Sequence, residues 1–310
     1  MLASMKDVFA SEEEMDLEQK AIERIKIASE MSLSYYGKPL VCTYSGGKDS
    51  EVILELFKRS GIPFEVHHSH TTADAPQTVY HIQKVFKELE LSGIKCDIDY
   101  HKKLDGSRIT MWNLIPRKLM PPTRLVRYCC SELKETGAEN RMIATGIRWH
   151  ESNNRKERKI YEILGKTKAQ AVRISDEKML LTDNDDVRKL FEQCKLKAKT
   201  VINPIIDWKD SDIWDYIKSE GICTNCLYEM GYERVGCIGC PLAGKKRWKE
   251  FADFPKFKQN YIKAFERMLE NRKQRGKETK WATGEEVFLW WMEDDNVAGQ
   301  MNLSDFMTIT

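Results

Sequence analysis

The string Ser45-Gly46-Gly47-Lys48-Asp49-Ser50 constrains this chain more than any other feature. It follows a short apolar run, Pro39–Tyr44, and leads into the helical pattern EVILELFKRSG. A strand that meets paired glycines and then a helix turns tightly. The turn gathers several backbone N–H groups at the positive end of the helix. Lys48 adds a mobile cation, and Ser45 and Ser50 add hydroxyls. Such a loop is built to cradle a phosphate chain. Its spacing differs from the Walker A loop, which needs four residues between its first glycine and Gly-Lys.

The strand–turn–helix unit recurs. Phe64–His70 reads as a strand, Gln77–Glu90 as a helix, Cys96–Tyr100 and Met142–Ile147 as further strands, and Ser211–Glu220 as a helix capped by Ser211. Residues 12–36 form a helical prelude. Strands alternating with helices predict an α/β fold: a doubly wound, mainly parallel sheet with helices on both faces. Ligands of such sheets sit at the carboxyl ends of strands. Past residue 220 a cysteine knot and a helical tail follow. Three segments are expected: a helical segment over 1–37, a nucleotide-binding domain over 38–220, and a cysteine-rich segment with a basic tail over 221–310. Within Gly165–Thr200 the pattern supports only a helix near Asp186–Cys194, as an insertion.

Composition narrows the class. The 310 residues are 41% apolar and 32% charged with a net charge of +2, which excludes an intrinsically disordered chain. Mean hydropathy is −0.55, and no run approaches the ~20 apolar residues of a membrane span. The acidic N-terminus lacks the apolar stretch of a signal peptide, so a cytoplasmic protein without membrane contact is expected.

Nine cysteines are many for such a compartment. Cys42, Cys96 and Cys194 sit among apolar neighbours and read as small buried hydrophobes. Cys129–Cys130, Cys223–Cys226 and Cys237–Cys240 are clustered, which in a reducing environment indicates metal or redox sites. The spacing of Cys223, Cys226, Cys237 and Cys240 suits a tetrahedral Zn²⁺ site. By contrast His67, His68 and His70 share one strand, so adjacent members face opposite ways and do not share a metal.

Three further blocks accompany the loop: Tyr128-Cys129-Cys130; Gly146-Ile-Arg148-Trp-His-Glu151-Ser152-Asn-Asn-Arg155; and Asn203-Pro204 through Trp208, followed by Leu227-Tyr228 and Gly231 to Pro241. The loop resembles the PP-loop of the ATP pyrophosphatases, and the blocks resemble the phosphoadenosine phosphosulfate (PAPS) reductase family. Within it they are most similar to the cluster-bearing adenosine phosphosulfate (APS) branch, over about residues 38–243. The resemblance implies an adenine nucleotide alpha-hydrolase-like fold. It implies that Ser45, Gly46, Gly47, Lys48, Asp49 and Ser50 bind the pyrophosphate of ATP, with the acidic residue assisting Mg²⁺. It also implies that Cys129, Cys130, Cys237 and Cys240 hold a [4Fe–4S] cluster. The iron–sulfur and zinc readings both stay open on the sequence, and under the first Cys223 and Cys226 are free for sulfur or disulfide chemistry. Arg148 and Arg155 suit an anionic phosphate or sulfate, while Glu151 and Ser152 suit ribose or metal-bound water.

The full SGGKDS form suits a user of ATP, and no cysteine follows Cys240 to serve as the reductase nucleophile. The resemblance therefore points to the ATP-pyrophosphatase subunit of DNA phosphorothioation systems and to cluster-dependent tRNA thiolases. Lys48, Asp49 and Arg148 are the candidate catalytic groups. Sulfur would come from a donor such as a cysteine desulfurase. Residues 245–280 hold 13 Lys/Arg against 5 Asp/Glu. That basic segment is a candidate surface for DNA or tRNA, whereas the spacing of Phe254, Phe257, Tyr261 and Phe265 fits a buried stripe. Two other readings compete: a PAPS/APS reductase-like enzyme using an external thiol, and a zinc-ribbon nucleic-acid binder on a PP-loop fold.

Overall fold

The computed structural model describes residues 15–103, 105–135, 137–138, 140–151, 155–164 and 199–293. The expected helix near Asp186–Cys194, and Ser152, lie outside the described residues. The chain divides into two compact units. The first comprises residues 1–68, 77–98 and 138–235. The second comprises 69–76, 99–137 and 236–310.

The first unit is the α/β sheet. Helix α1 (Leu17–Tyr36) opens with Asp16 accepting from the Gln19 N–H at 2.8 Å and closes at Gly37. It presents Ala21, Ile25, Ala28 and Met31 to the core. Next come β1 (Leu40–Thr43), α2 (Lys48–Ser60), β2 (Phe64–Ser69), α3 (Pro76–Leu91) and β3 (Cys96–Asp99). Later strands are β4 (Met142–Ala144), β5 (Tyr161–Leu164) and β6 (Lys199–Ile202), followed by α6 (Asp210–Ser219). Two helices of the second unit, α4 (Met111–Lys118) and α5 (Tyr128–Leu133), precede α6 in the chain. Among the described residues the strand order is β3-β2-β1-β4-β6-β5. The pairs β1–β2, β1–β4 and β4–β6 are parallel, with Cys42 beside both Val66 and Ala144. At the edge β5 runs antiparallel to β6, so the sheet is mixed there. Leu40, Cys42 and Tyr44 face one side, where Val52, Leu56, Ile82, Phe86 and Trp208 join the helix faces in a continuous core. Val41, Ile143 and Val201 face the other.

This order fixes where a ligand can sit. The chain leaves β1 toward β2 and β3 on one side and returns through β4 and β6 on the other. The switch point therefore lies between the carboxyl ends of β1 and β4. The loops after those two strands carry Ser45–Ser50 and Gly146–Glu151.

The Ser211 cap is a correction. Helix α6 begins one residue earlier, with Lys209 at the cap position, and Asp212 Oδ2 accepts the Lys209 N–H at 2.7 Å. An acid three residues into the helix reached back to the free N–H, and Ser211 bonds Asp212 instead at 3.2 Å.

The second unit is largely helical: α4 (Met111–Lys118), α5 (Tyr128–Leu133), α7 (Lys246–Asp253), α8 (Pro255–Gln274) and α9 (Gly284–Met292). The tail aromatics make its core. Phe251, Phe254, Tyr261, Phe265, Phe288 and Trp291 are buried, and Tyr261 lies 4.8 Å from Trp291 and 5.1 Å from Trp112 between ring centres. Two tail cations expected at the surface are buried. Arg247 donates to the Trp291 carbonyl at 2.9 Å, and Arg272 to the Leu119 carbonyl at 3.0 Å. No helix among the described residues is long and apolar enough to cross a membrane.

Candidate functional site

In the first unit the glycine loop is held from within. Gly46 has φ +71°, and a Cβ there would lie 3.1 Å from Ile82 Cγ1 and 3.3 Å from Thr78 Cγ2, so both backbone and space demand glycine. Buried Ser50 staples the turn: its hydroxyl donates to the Gly47 carbonyl at 2.7 Å and accepts from the N–H groups of Gly47 and Ser45 at 3.1 and 3.2 Å. Ser50 therefore shapes the loop, while Ser45, Gly46 and Gly47 form its rim.

Four charges converge on the first turn of α2. Arg148, 2% exposed, donates from Nε to Asp49 Oδ1 at 2.6 Å and from Nη2 to Asp210 Oδ1 at 2.9 Å. Lys48 Nζ lies 2.9 Å from the same Asp210 oxygen and 3.5 Å from Asp49 Oδ2. Partial burial favours the neutral acid at Asp210. Its hydrogen bonds and charge contacts with Lys48 and Arg148 outweigh that and hold the carboxyl below its usual range. Gly146 lies against Asp49, 3.1 Å from Cβ to Cβ were it to carry one. Arg148 spends its donors on carboxylates and on the Trp208 carbonyl at 3.4 Å. Its position is behind Asp49.

Glu151 and Arg155 form an ion pair, and Glu151 also accepts the Arg148 N–H at 3.1 Å. Burial lowers Arg155 to about 10, with the positive charge of Arg234 second among the causes. The Asn203–Trp208 block is scaffold. Asn203 donates to the Lys159 carbonyl at 2.7 Å, and Asp207 holds Arg24 of α1 through two bonds of 2.9 Å.

Two contributors, Asp210 and Asn225, went unread in the sequence, and a third, Tyr228, was quoted in a motif without a role. Asp210 completes the charge network. Asn225, fully buried inside Cys-Thr-Asn-Cys, donates to the Gly46 carbonyl at 3.3 Å and to Thr78 Oγ1 at 3.1 Å, and accepts the Leu227 N–H at 3.1 Å. The Tyr228 hydroxyl accepts the Lys48 N–H at 2.8 Å. For Asn225 the sequence signal was an amide between two cysteines. Exposed Cys223 and Cys226 thus flank a residue bonded to the phosphate loop. Each of the three histidines has a partner: His67 meets Asp97 at 2.9 Å, His68 the Tyr44 carbonyl at 2.9 Å and His70 Asp74 at 3.8 Å.

The second unit contains Cys129, Cys130, Cys237 and Cys240; Cys223 and Cys226 belong to the first. Cys129 and Cys130 open α5. A hydrogen bond from Cys129 lowers Cys130 to about 6 against the effect of burial, helped by Arg127 and Lys134, while Cys129 itself is pushed up. Burial raises Cys237 to about 11, and its sulfur lies 3.3 Å from Thr71 Oγ1. The charge of Cys237, joined by Asp74, Cys130 and Cys240, raises the Lys134 ammonium. The Cys237–Cys240 turn is caged by the tail. Gly239 has φ +75°, and a Cβ would lie 2.6 Å from Phe251 Cζ and 3.0 Å from Tyr261 Cε2. The Tyr261 hydroxyl donates to the Ile238 carbonyl at 2.9 Å. All four are half-buried thiols, the ligand type and number that an iron–sulfur cluster takes. The scattered Cys42 is buried and Cys96 half-buried; Cys194 lies outside the described residues.

A glycine phosphate loop at the switch point of such a sheet defines the PP-loop class of α/β enzymes. Within it, the phosphoadenosine phosphosulfate reductase domain matches residues 39–243, and the chain belongs to that family. An uncharacterised protein of Methanocaldococcus jannaschii is 25% identical over 262 residues, covering 84% of this chain and 54% of the relative. A second relative from that organism is covered over 40% of its length, so the chain spans about half of these two or less. The adenosine 5'-phosphosulfate reductase of Bacillus anthracis is 24% identical over 218 residues, 67% of this chain and 77% of the relative. Among solved structures, a PAPS reductase from Candida auris in a phosphate complex aligns over 76% of this chain and 96% of its own, with TM-score 0.41 and 16% identity.

Proposed function

We propose that the chain is an ATP pyrophosphatase-type enzyme that adenylates a substrate for sulfur transfer. The observation that carries this reading is the network of Lys48, Asp49, Arg148 and Asp210 on a glycine loop at the start of α2. The polyphosphate would lie on the loop N–H groups and Lys48. Asp210 Oδ1 takes both cation contacts, so Oδ2 of this exposed side chain, with Asp49, is available to Mg²⁺. Bound there, Mg²⁺ would neutralise charge on the phosphates. An oxygen of the substrate attacks the α-phosphorus, the bond to the bridging oxygen breaks, and pyrophosphate leaves with that electron pair. Arg148 holds Asp49 and Asp210 in place, and positioning and charge neutralisation supply the rate.

A persulfide on Cys223 or Cys226, supplied by a cysteine desulfurase, would then attack the activated substrate and release AMP. The second thiolate breaks the sulfur–sulfur bond, leaving a Cys223–Cys226 disulfide for an external thiol to reduce. Cys129, Cys130, Cys237 and Cys240 would hold the [4Fe–4S] cluster, which supplies redox or sulfur-ligating chemistry when bound. DNA or tRNA fits the acceptor role through exposed Lys256, Lys263 and Arg267, which share one face of α8.

The test is release of AMP and pyrophosphate from ATP in the presence of nucleic acid. It is paired with iron and sulfide analysis after anaerobic purification. About four irons per chain, lost in Cys129→Ala and kept in Cys223→Ala, are expected; one zinc lost with Cys223→Ala refutes the cluster. The B. anthracis relative favours a second reading, a sulfonucleotide reductase-like enzyme, and tighter binding of APS or PAPS than of ATP would establish it.

A further inference from the structure

We propose that Arg234 is an anion-binding residue of the phosphate loop, acting with Arg155 to grip the polyphosphate of the nucleotide. The assignment rests on the adenylation reading above and adds to it a group outside the SGGKDS string. The segment Asn225–Val235 is laced to the loop at successive points. Asn225 Nδ2 bonds the Gly46 carbonyl at 3.3 Å, and Tyr228 Oη accepts the Lys48 N–H at 2.8 Å. The Tyr228 hydroxyl and the Val235 Cβ lie 3.5 and 3.8 Å from where a Gly47 Cβ would stand. Backbone contacts therefore carry Arg234, one residue before Val235, to the rim of the loop, independently of anything its own side chain touches.

The charges there are unequally matched. Lys48 and Arg148 are neutralised by Asp49 and Asp210, and Arg155 by Glu151. Arg234 is exposed and has no ion-pair partner among the described residues. Its guanidinium is close enough to Arg155 to disfavour the protonated form of that side chain. Two guanidinium charges this close to each other are unfavourable until an anion offsets them. A diphosphate group, with oxygens for two forks, suits such a pair of cations. A ribose hydroxyl or an adenine ring does not require a second cation.

The experiment is isothermal titration calorimetry of the full chain with inorganic pyrophosphate, ATP and AMP, comparing wild type, Arg234→Ala and Arg234→Lys. Losing one charge-assisted contact should weaken pyrophosphate and ATP roughly tenfold or more in Arg234→Ala, with AMP changed by no more than about twofold. Arg234→Lys should fall between, because an ammonium keeps the charge and loses the fork. An unchanged thermal transition checks that the exposed substitution leaves the fold intact. Pyrophosphate affinity within about twofold of wild type in Arg234→Ala overturns the assignment and leaves the phosphate-loop reading standing. An equal loss for AMP overturns it too, by moving the contact away from the polyphosphate. Failure of the wild-type chain to bind either pyrophosphate or ATP would bring down the phosphate-loop reading itself, and Arg234 with it.

Discussion

Asn225→Ala should loosen the phosphate loop without touching any residue of the SGGKDS string. The side chain is fully buried and makes three hydrogen bonds: to the Gly46 carbonyl, to Thr78 Oγ1 and from the Leu227 N–H. Alanine leaves a buried carbonyl and a buried N–H without partners, each costing about 1–3 kcal/mol. The Gly46 bond is long at 3.3 Å and sits at the lower end, so a total of about 2–4 kcal/mol is expected. In a chain of this size that lowers the melting temperature by about 3–6 °C. Urea unfolding followed by circular dichroism gives the free energy, and hydrogen exchange of the peptide spanning 222–230 gives the local effect at the Leu227 amide. Asn225→Asp keeps the acceptor for Leu227 but turns an oxygen toward the Gly46 carbonyl, so it should bind pyrophosphate no better than the alanine variant. An Asn225→Ala chain within about 0.5 kcal/mol of wild type, with its Leu227 amide equally protected, would refute the reasoning.

Gly46→Ala combines a left-handed backbone with contacts of 3.1 and 3.3 Å to Ile82 and Thr78. It should cost about 1–3 kcal/mol in urea unfolding, and an unchanged midpoint would contradict the strain assigned to the loop. At Glu65, partial burial raises the carboxyl, but the Arg141 and Lys95 bonds at 2.9 and 3.3 Å outweigh it and hold the folded-state pKa low. A depressed carboxyl stabilises above its unfolded pKa, and the contribution fades as pH falls through the folded value. Glu65→Gln should therefore lose about 0.5–1 kcal/mol at neutral pH and match wild type in strong acid, and a deficit independent of pH would count against the ion pairs. Arg247→Lys keeps the charge but loses the bond to the Trp291 carbonyl and the stack 4.8 Å from the Trp291 ring. It should cost about 1–3 kcal/mol of unfolding free energy in urea, and a neutral outcome would contradict the role given to the Trp291 contacts.

The strand, glycine turn and helix around Ser45–Ser50 were legible because each constraint is local. A short apolar run marks the strand, and the turn geometry requires its glycine within a few residues. The tail stripe of Phe254, Tyr261 and Phe265 was legible for the same reason, since residues three and four apart share a helix face. Cys129, Cys130, Cys237 and Cys240 were grouped through resemblance alone, since residues a hundred positions apart carry no local signal of a shared site. The cap of α6 was misread because Ser211 and Asp212 compete for one position, and only the backbone path at Lys209 decides between them.

What the sequence by itself determined is the phosphate loop, the alternation that builds the sheet and the helical character of the tail, all set by neighbours along the chain. The tertiary structure alone decided the strand order that puts the loops after β1 and β4 at one switch point, and the edge strand β5 that runs against β6. It also decided that Arg148 stands behind Asp49 and that Tyr228 caps the Lys48 N–H from 180 residues away. These depend on which surfaces meet once the core is buried. No local propensity specifies that, because the free energy of such a contact is realised only after the intervening chain has folded.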